Sequence, residues 1–205
     1  MKKIALLVVL ALIGVFAWYY WETKPKPDQE VNLVKPVKAS QHSAVFNKSV
    51  DSVLQAYYVL SETLVAWDSA KLAPATEKLQ KELAGLKLQE LQQDSALFTS
   101  ALAHLKTVQN QTAAFGSANG LEAKRRTFHE LSGNLYNLLH TVKYDASKVY
   151  LQECPMAFND EETGNWISQT ADIRNPYLGL HHPRYKSGML QCGEVKDSLV
   201  FDQVQ

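Results

Sequence analysis

The clearest helical pattern in the chain is LEAKRRTFHELSGNLYNLLHTV, which runs from Leu121 to Val142. Its apolar residues recur three or four positions apart, as they do on one face of an α-helix. The same spacing occurs in three stretches before it, and Pro74 is the only proline between residues 41 and 142. The pattern predicts four helices, at about Val45–Trp67, Pro74–Leu91, Leu97–Phe115 and Leu121–Val142. Short links between such helices predict an up-down four-helix bundle in a mainly α protein.

The chain changes character after Val142. Residues 143–205 are richer in Gly, Pro, Asn and Asp, and they contain short β-type pieces such as Val149-Tyr150-Leu151. This composition predicts an irregular C-terminal cap with a few short strands at one end of the bundle. Both cysteines and both methionines other than Met1 lie in this part of the chain. Residues 42–200 are therefore predicted to form one domain, followed by a short tail at 201–205.

The N-terminus has the pattern of an export signal. Lys2 and Lys3 precede an uncharged run of 18 residues, Ile4–Trp21, which is long enough to cross a bilayer as a helix. We expect residues 1–21 to be an uncleaved signal anchor, that is, one N-terminal membrane helix; a cleaved signal peptide is the alternative. The proline-rich segment 22–41 is predicted to be a flexible tether. This arrangement predicts a bacterial inner-membrane protein whose soluble domain faces the oxidising periplasm.

Composition and motifs exclude several classes of function. The chain has 21 Lys+Arg and 21 Asp+Glu, so it has no basic field that would attract nucleic acid. The sequence lacks G-x-S-x-G, P-loop, H-E-x-x-H and C-x-x-C motifs, which favours a protein that is not an enzyme. The short basic run Lys124-Arg125-Arg126 is predicted to be a solvated helix face.

Four sulfur residues form two short motifs. They are Cys154-Pro155-Met156 and Met189-Leu190-Gln191-Cys192-Gly193. Thiolate and thioether groups are soft donors that favour Cu(I) or Ag(I). A Cys-x-Met pair can offer two sulfurs from one turn, and the three-residue spacing of Met189 and Cys192 would place both on one side of a helical turn. The adjacent His181 and His182 are candidate accessory ligands.

A disulfide is the alternative for the same residues. Two cysteines in an exported domain commonly form a bridge. Closing the 38-position separation of Cys154 and Cys192 would contribute roughly 3–4 kcal/mol in the loop-entropy model. Met156 and Met189 would then be apolar packing beside the bridge. Spacing alone favours this interpretation over a metal site.

The cap also resembles a known family through an ordered series of motifs. These are Val149-Tyr150, Cys154-Pro155-Met156-Ala157, Trp166-Ile167-Ser168, Ile173-Arg174-Asn175-Pro176-Tyr177 and Met189-Leu190-x-Cys192-Gly193-Glu194-Val195. With the preceding helices, over about residues 42–200, they resemble a domain-of-unknown-function family of small exported bacterial proteins. The same module is similar to the C-terminal extension of periplasmic adaptor subunits of copper/silver efflux pumps. Many relatives have a shorter connection where this chain has residues 180–188, which bring in the two adjacent histidines.

The resemblance implies a helical bundle associated with copper or silver handling. By position, its Cys-Pro-Met and Met-x-x-Cys-Gly elements fall on Cys154, Met156, Met189 and Cys192. The resulting hypothesis is a membrane-tethered protein, anchored through residues 4–21, that binds Cu(I) or Ag(I). It would buffer the metal or exchange it with an efflux pump or metallochaperone. The competing hypothesis is a structural or interaction module of the cell envelope, stabilised by a Cys154–Cys192 disulfide.

Overall fold

A computed structural model describes residues 14–16, 18–20 and 40–200. Residues 14–16 and 18–20 are helical and exposed, with the rings of Phe16 and Tyr20 stacked at 6.3 Å. Most of the predicted anchor, the tether up to residue 39 and the tail at 201–205 lie outside the described residues. Among the residues described, no helix is both long enough and apolar enough to cross a membrane. The chain divides into two compact units, Met1–Lys38 and Ala39–Gln205, and the second contains the predicted bundle and cap.

Residues 40–200 contain four α-helices, as the periodicity predicts. They are α1 (Ala44–Val65), α2 (Ser69–Ala84), α3 (Ser95–Ser117) and α4 (Gly120–Thr141), with a 3-10 helix at Gln89–Gln93 between α2 and α3. Each of the first three begins after a residue whose side chain accepts a backbone N–H of the first turn, namely Ser43, Asp68 and Asp94. The mainly helical prediction is confirmed.

The predicted boundaries of the second helix are wrong. The sequence pattern places that helix at about Pro74–Leu91, but α2 begins at Ser69 because the Asp68 carboxylate caps it, accepting the Lys71 N–H at 3.3 Å. Pro74 therefore lies more than a turn inside the helix rather than in its first turn. The helix ends before Gly85, and Leu91 reaches the core from the 3-10 helix instead.

The cap contains a three-stranded antiparallel sheet. Its strands are β1 (Val149–Phe158), β2 (Glu162–Ser168) and β3 (Glu194–Leu199), in the order β2-β1-β3. The prediction of strands in the cap is confirmed, but β1 is ten residues long. The Cys-Pro-Met motif lies within β1 rather than in a turn. The register with β2 shifts between Cys154 and Phe158, directly after the first cysteine.

The helices and the sheet share one core. Tyr57 of α1 stacks on Phe128 of α4 at 5.1 Å, and its hydroxyl contacts the Ser132 hydroxyl at 2.6 Å. The same Tyr57 oxygen accepts the backbone N–H of Ile167 in β2 at 3.1 Å. Tyr177, from the connection between β2 and β3, packs edge-on against Trp166. Tyr57 thus joins the helices to the sheet. Tyr177 packs the long connection that carries Cys192 against the sheet.

Candidate functional site

The fold brings the two cysteines into contact. Their Sγ atoms are 2.8 Å apart, although the residues are 38 positions apart in sequence. Cys154 is completely buried in β1, whereas Cys192 is half-buried at the end of the connection that leads to β3. Both are free thiols. A disulfide bond is about 2.05 Å long, so a movement of less than an ångström separates this thiol pair from a bridge.

The two methionines lie on the segments that carry the thiol pair. Met189 is half-buried and begins a turn in which the Cys192 N–H donates to the Met189 carbonyl oxygen at 3.0 Å. Met189 and Cys192 are therefore the first and last residues of one turn. Met156 is also half-buried and packs against the core, two residues beyond Cys154 in β1. Both methionines are therefore on the two segments that carry the thiols.

The two adjacent histidines differ from each other in their surroundings. His182 Nδ1 accepts the N–H groups of Arg184 and Tyr185, both at 3.2 Å, and its ring stacks on that of Tyr185 at 5.0 Å. His181 is exposed. Within residues 14–16, 18–20 and 40–200, no three His, Cys, Asp or Glu side chains are grouped to hold a metal ion. The fold therefore does not join His181 or His182 to the thiol pair in one ligand group.

Asn175 positions Cys192, and the sequence motifs do not reveal this role. Its side chain is fully buried, and its Nδ2 donates to the Cys192 carbonyl oxygen at 2.8 Å. Its Oδ1 accepts the N–H groups of Tyr177 and Leu178 at 2.8 and 3.0 Å, while its own N–H donates to the Leu190 carbonyl oxygen at 2.9 Å. An asparagine before a proline signals a turn, but nothing local shows that its amide reaches a residue 17 positions away.

Gly193 lets the chain close over β1 directly after the second thiol. It has φ of +137°, which side-chain-bearing residues rarely adopt. A Cβ atom at this position would lie 2.6 Å from the Glu153 carbonyl oxygen and 2.9 Å from the Trp166 ring. The backbone at Gly193 therefore passes close to that of Glu153, the residue preceding Cys154.

The surroundings of Cys192 keep its thiol protonated at neutral pH. Burial, followed by the contact with Cys154, raises the pKa of the Cys192 thiol to about 12. A thiolate in this position would lose hydration and face a second sulfur. Oxidation or metal binding at Cys192 must therefore release its proton, and both reactions become more favourable as the pH rises.

Slow alkylation of the reduced protein is the direct test of this electrostatic state. Because the thiolate is the reacting form, we expect Cys192 to react with iodoacetamide at least about tenfold more slowly than glutathione does near pH 8. Its rate should rise continuously with pH. Cys154 should react only when the protein unfolds. Peptide mass spectrometry separates the two sites, and a Cys192 rate equal to that of glutathione would contradict the raised pKa.

Arg125 is also placed differently from the sequence prediction. Lys124 and Arg126 are partly exposed, but Arg125 between them is buried, with 5% of its surface accessible. Its Nε donates to the Pro176 carbonyl oxygen at 3.0 Å and its Nη2 to that of Leu64 at 3.2 Å. The prediction of a solvated basic face is wrong for this residue, because the carbonyls that draw it inward come from distant segments.

The helical part of the chain matches a known domain family. Residues 53–147 match the model of the family described as Protein of unknown function (DUF3347). The DUF3347 match begins within α1 and ends just before β1, so it covers the helices and not the thiol pair. It supports similarity to an uncharacterised domain family, as the resemblance implied, and does not extend to copper or silver efflux. No curated protein and no solved structure matches the chain.

Proposed function

We propose that this protein is a non-enzymatic binding protein for Cu(I) or Ag(I), with Cys154 and Cys192 as the principal ligands. The observation that carries the proposal is the 2.8 Å contact between two thiols that are 38 residues apart. Two soft donors held together by a folded scaffold form the minimal unit that such ions prefer. The wider setting proposed for it is an anchored protein of the bacterial inner membrane, with its soluble domain in the periplasm.

The donor set fits a soft monovalent ion. Met156 and Met189 would add thioethers from the same two segments, and thioethers select Cu(I) and Ag(I) over Ca(II) or Mg(II). Because the Cys192 thiol is protonated in the resting protein, loading would release its proton, and the apparent affinity should increase with pH. Only the reduced pair would bind, so the periplasmic redox state would decide how much protein is competent. Exchange with an efflux pump or metallochaperone is the proposed use of such a site.

Cu(I) titration of the reduced protein against a chromophoric chelator tests the proposal. We expect one Cu(I) per chain, with affinity reduced about 100-fold in Cys154→Ser and in Cys192→Ser because each removes a thiolate. The double variant Met156→Leu, Met189→Leu keeps volume and apolarity, so it should fold normally and lose about tenfold in affinity.

Matched controls separate ligation from packing. His181→Ala removes an exposed imidazole that the fold does not group with the thiols, so it should leave the affinity unchanged. Each variant is compared by circular dichroism and urea unfolding before titration. Failure of the fully reduced, folded wild-type protein to take up Cu(I) would refute the proposal, and an unchanged affinity in the double methionine variant would restrict the site to the two thiols.

A structural disulfide module is the second candidate, and the complete burial of Cys154 favours it. A bridge here would tie the connection before β3 to the central strand of the sheet, and the domain would dock on a partner in the cell envelope. Thiol counting under denaturing conditions, on protein isolated from the periplasm without reductant, distinguishes the two candidates. Two free thiols favour the metal function. A quantitative disulfide that persists in mild reductant favours the structural one.

A further inference from the structure

A cavity separate from the thiol pair lies beside the start of α4. It has a volume of about 380 Å³ and is bounded by the first turns of α4, the end of β1 and the connection around residues 182–185. Four aromatic rings line it, those of Trp67, Phe158, Tyr177 and Tyr185. Its size falls within the range of small-molecule sites, roughly 300–1,000 Å³. None of the four sulfur residues contributes to its lining.

Arg125 lines this cavity as a buried cation with spare donors. Its guanidinium lies over the Trp67 ring, 3.8 Å from the ring centroid, and donates from Nε and Nη2 to backbone carbonyls. Within residues 40–200, its Nη1 makes no hydrogen bond and no carboxylate pairs with it. Burial lowers the pKa of Arg125 to about 10, which still leaves it charged at neutral pH. A buried charge without an ionic partner destabilises the folded state. An anion bound in the cavity would supply that partner.

The other charges around the cavity are already neutralised. Asp160 pairs with Arg184 at 2.6 Å and accepts the Tyr185 hydroxyl at 2.7 Å. Glu122 is exposed and pairs with Arg126 at 3.4 Å. Burial, and then the Arg125 charge, lower the pKa of His182, which keeps its ring neutral near pH 7. Among the described lining residues, Arg125 thus carries the one charge that has no opposite partner.

We propose that the cavity binds a small organic monoanion, a carboxylate attached to a flat apolar group. The carboxylate would take the free donors of Arg125 in a charge-assisted pair. The flat group would lie against the surrounding aromatic rings. A purely inorganic anion would satisfy the charge but leave the aromatic walls unused. The proposal rests on residues outside the sulfur motifs, so it stands or falls independently of the metal function.

Benzoate is the probe, with benzamide as a neutral analogue of the same shape. Titrations of the ¹⁵N-labelled protein are followed by amide and indole shifts at constant ionic strength. We expect saturable benzoate shifts centred on the indole N–H of Trp67 and the amides of Tyr177 and Tyr185, with millimolar or tighter affinity. Benzamide should produce at least about tenfold weaker effects, since it lacks the charge. Inorganic phosphate should bind more weakly than benzoate because it makes no contact with the rings.

Two variants make the test decisive. Arg125→Gln keeps donors but removes the charge, and should weaken benzoate binding at least about tenfold. Leu121→Trp fills the cavity from the half-buried first turn of α4, leaves the buried arginine in place, and should abolish binding in a folded protein. If Arg125→Gln unfolds, Leu121→Trp decides alone. The proposal is overturned by absence of saturable benzoate shifts at tens of millimolar, by equal binding of benzamide, or by unchanged binding in a folded Leu121→Trp.

Discussion

Gly179→Ala is expected to lower the free energy of unfolding by about 3–5 kcal/mol. Gly179 is buried with φ of +54°, and a Cβ atom there would lie 2.5 Å from the Val65 carbonyl oxygen and 2.7 Å from Trp67 Nε1. Both of these atoms already bond this turn, since Leu180 N–H donates to Val65 at 2.8 Å and Trp67 Nε1 to Leu178 at 3.0 Å. Relieving the overlap requires breaking these bonds. Urea unfolding followed by circular dichroism measures the loss.

Gly133→Ala is the matched control for that substitution. Gly133 lies within α4, and nothing would approach an added Cβ within 4 Å. Alanine is favoured over glycine in a helix interior by up to about 1 kcal/mol, so this variant should be as stable as the wild type or more stable. If Gly179→Ala lowers the free energy of unfolding by no more than the cost of placing alanine at positive φ, the overlap with Val65 and Trp67 contributes nothing. The turn would then have moved away from α1 without losing stability.

Asn175→Ala is expected to lower the free energy of unfolding by about 3–4 kcal/mol, because it leaves buried polar groups without hydrogen-bond partners. The Cys192 carbonyl oxygen loses its Nδ2 donor, and the N–H groups of Tyr177 and Leu178 lose their shared acceptor. Cys192 would also be less firmly placed, so its alkylation should accelerate in the folded variant. Thermal and urea unfolding measure the first effect, and peptide mass spectrometry measures the second.

The control for Asn175 is the exposed Asn137 in the same domain. Asn137 lies on the solvent face of α4, so Asn137→Ala should change the free energy of unfolding by less than about 0.5 kcal/mol. If Asn175→Ala were equally mild, or if it destabilised the protein without altering the Cys192 rate, the asparagine would not position the thiol. These outcomes separate a general contribution to the core from a specific role at the site.

The helices could be predicted because their signal is local. Phe128, Leu131 and Leu135 repeat at helical spacing, and all three are buried as that spacing requires. The start of α2 is harder to predict because two local signals compete there. Proline is favoured in the first turn of a helix, so Pro74 predicts that α2 begins near residue 74. The Asp68 side chain caps a helix that begins at Ser69, and this is the start that the structure has.

The site was only half predictable because its contacts are not local. The motifs around Cys154 and Cys192 pointed to two residues that the fold brings into contact, but that contact depends on β3 pairing with β1, which no short-range pattern encodes. Arg125 resembled part of a solvated run because the carbonyl oxygens it binds belong to residues 51 and 61 positions away. His181 and His182 were candidate ligands because they are close in sequence to Met189 and Cys192, and among the described residues they form no ligand group with the thiols.

The connection between Gly179 and Leu190 is fastened at both ends. Leu180 is bonded to Val65 at the end of α1, and Leu190 is bonded to Asn175. Residues 181–189 therefore form an excursion that leaves and rejoins the domain at fixed points. Because Asn175 bonds both Leu190 and the Cys192 carbonyl oxygen, a change in the length of residues 181–188 would act first on the wall that His182 and Tyr185 give to the Arg125 cavity. Variation in this loop would therefore change the cavity beside Arg125 without removing the two hydrogen bonds by which Asn175 holds the Leu190–Cys192 segment.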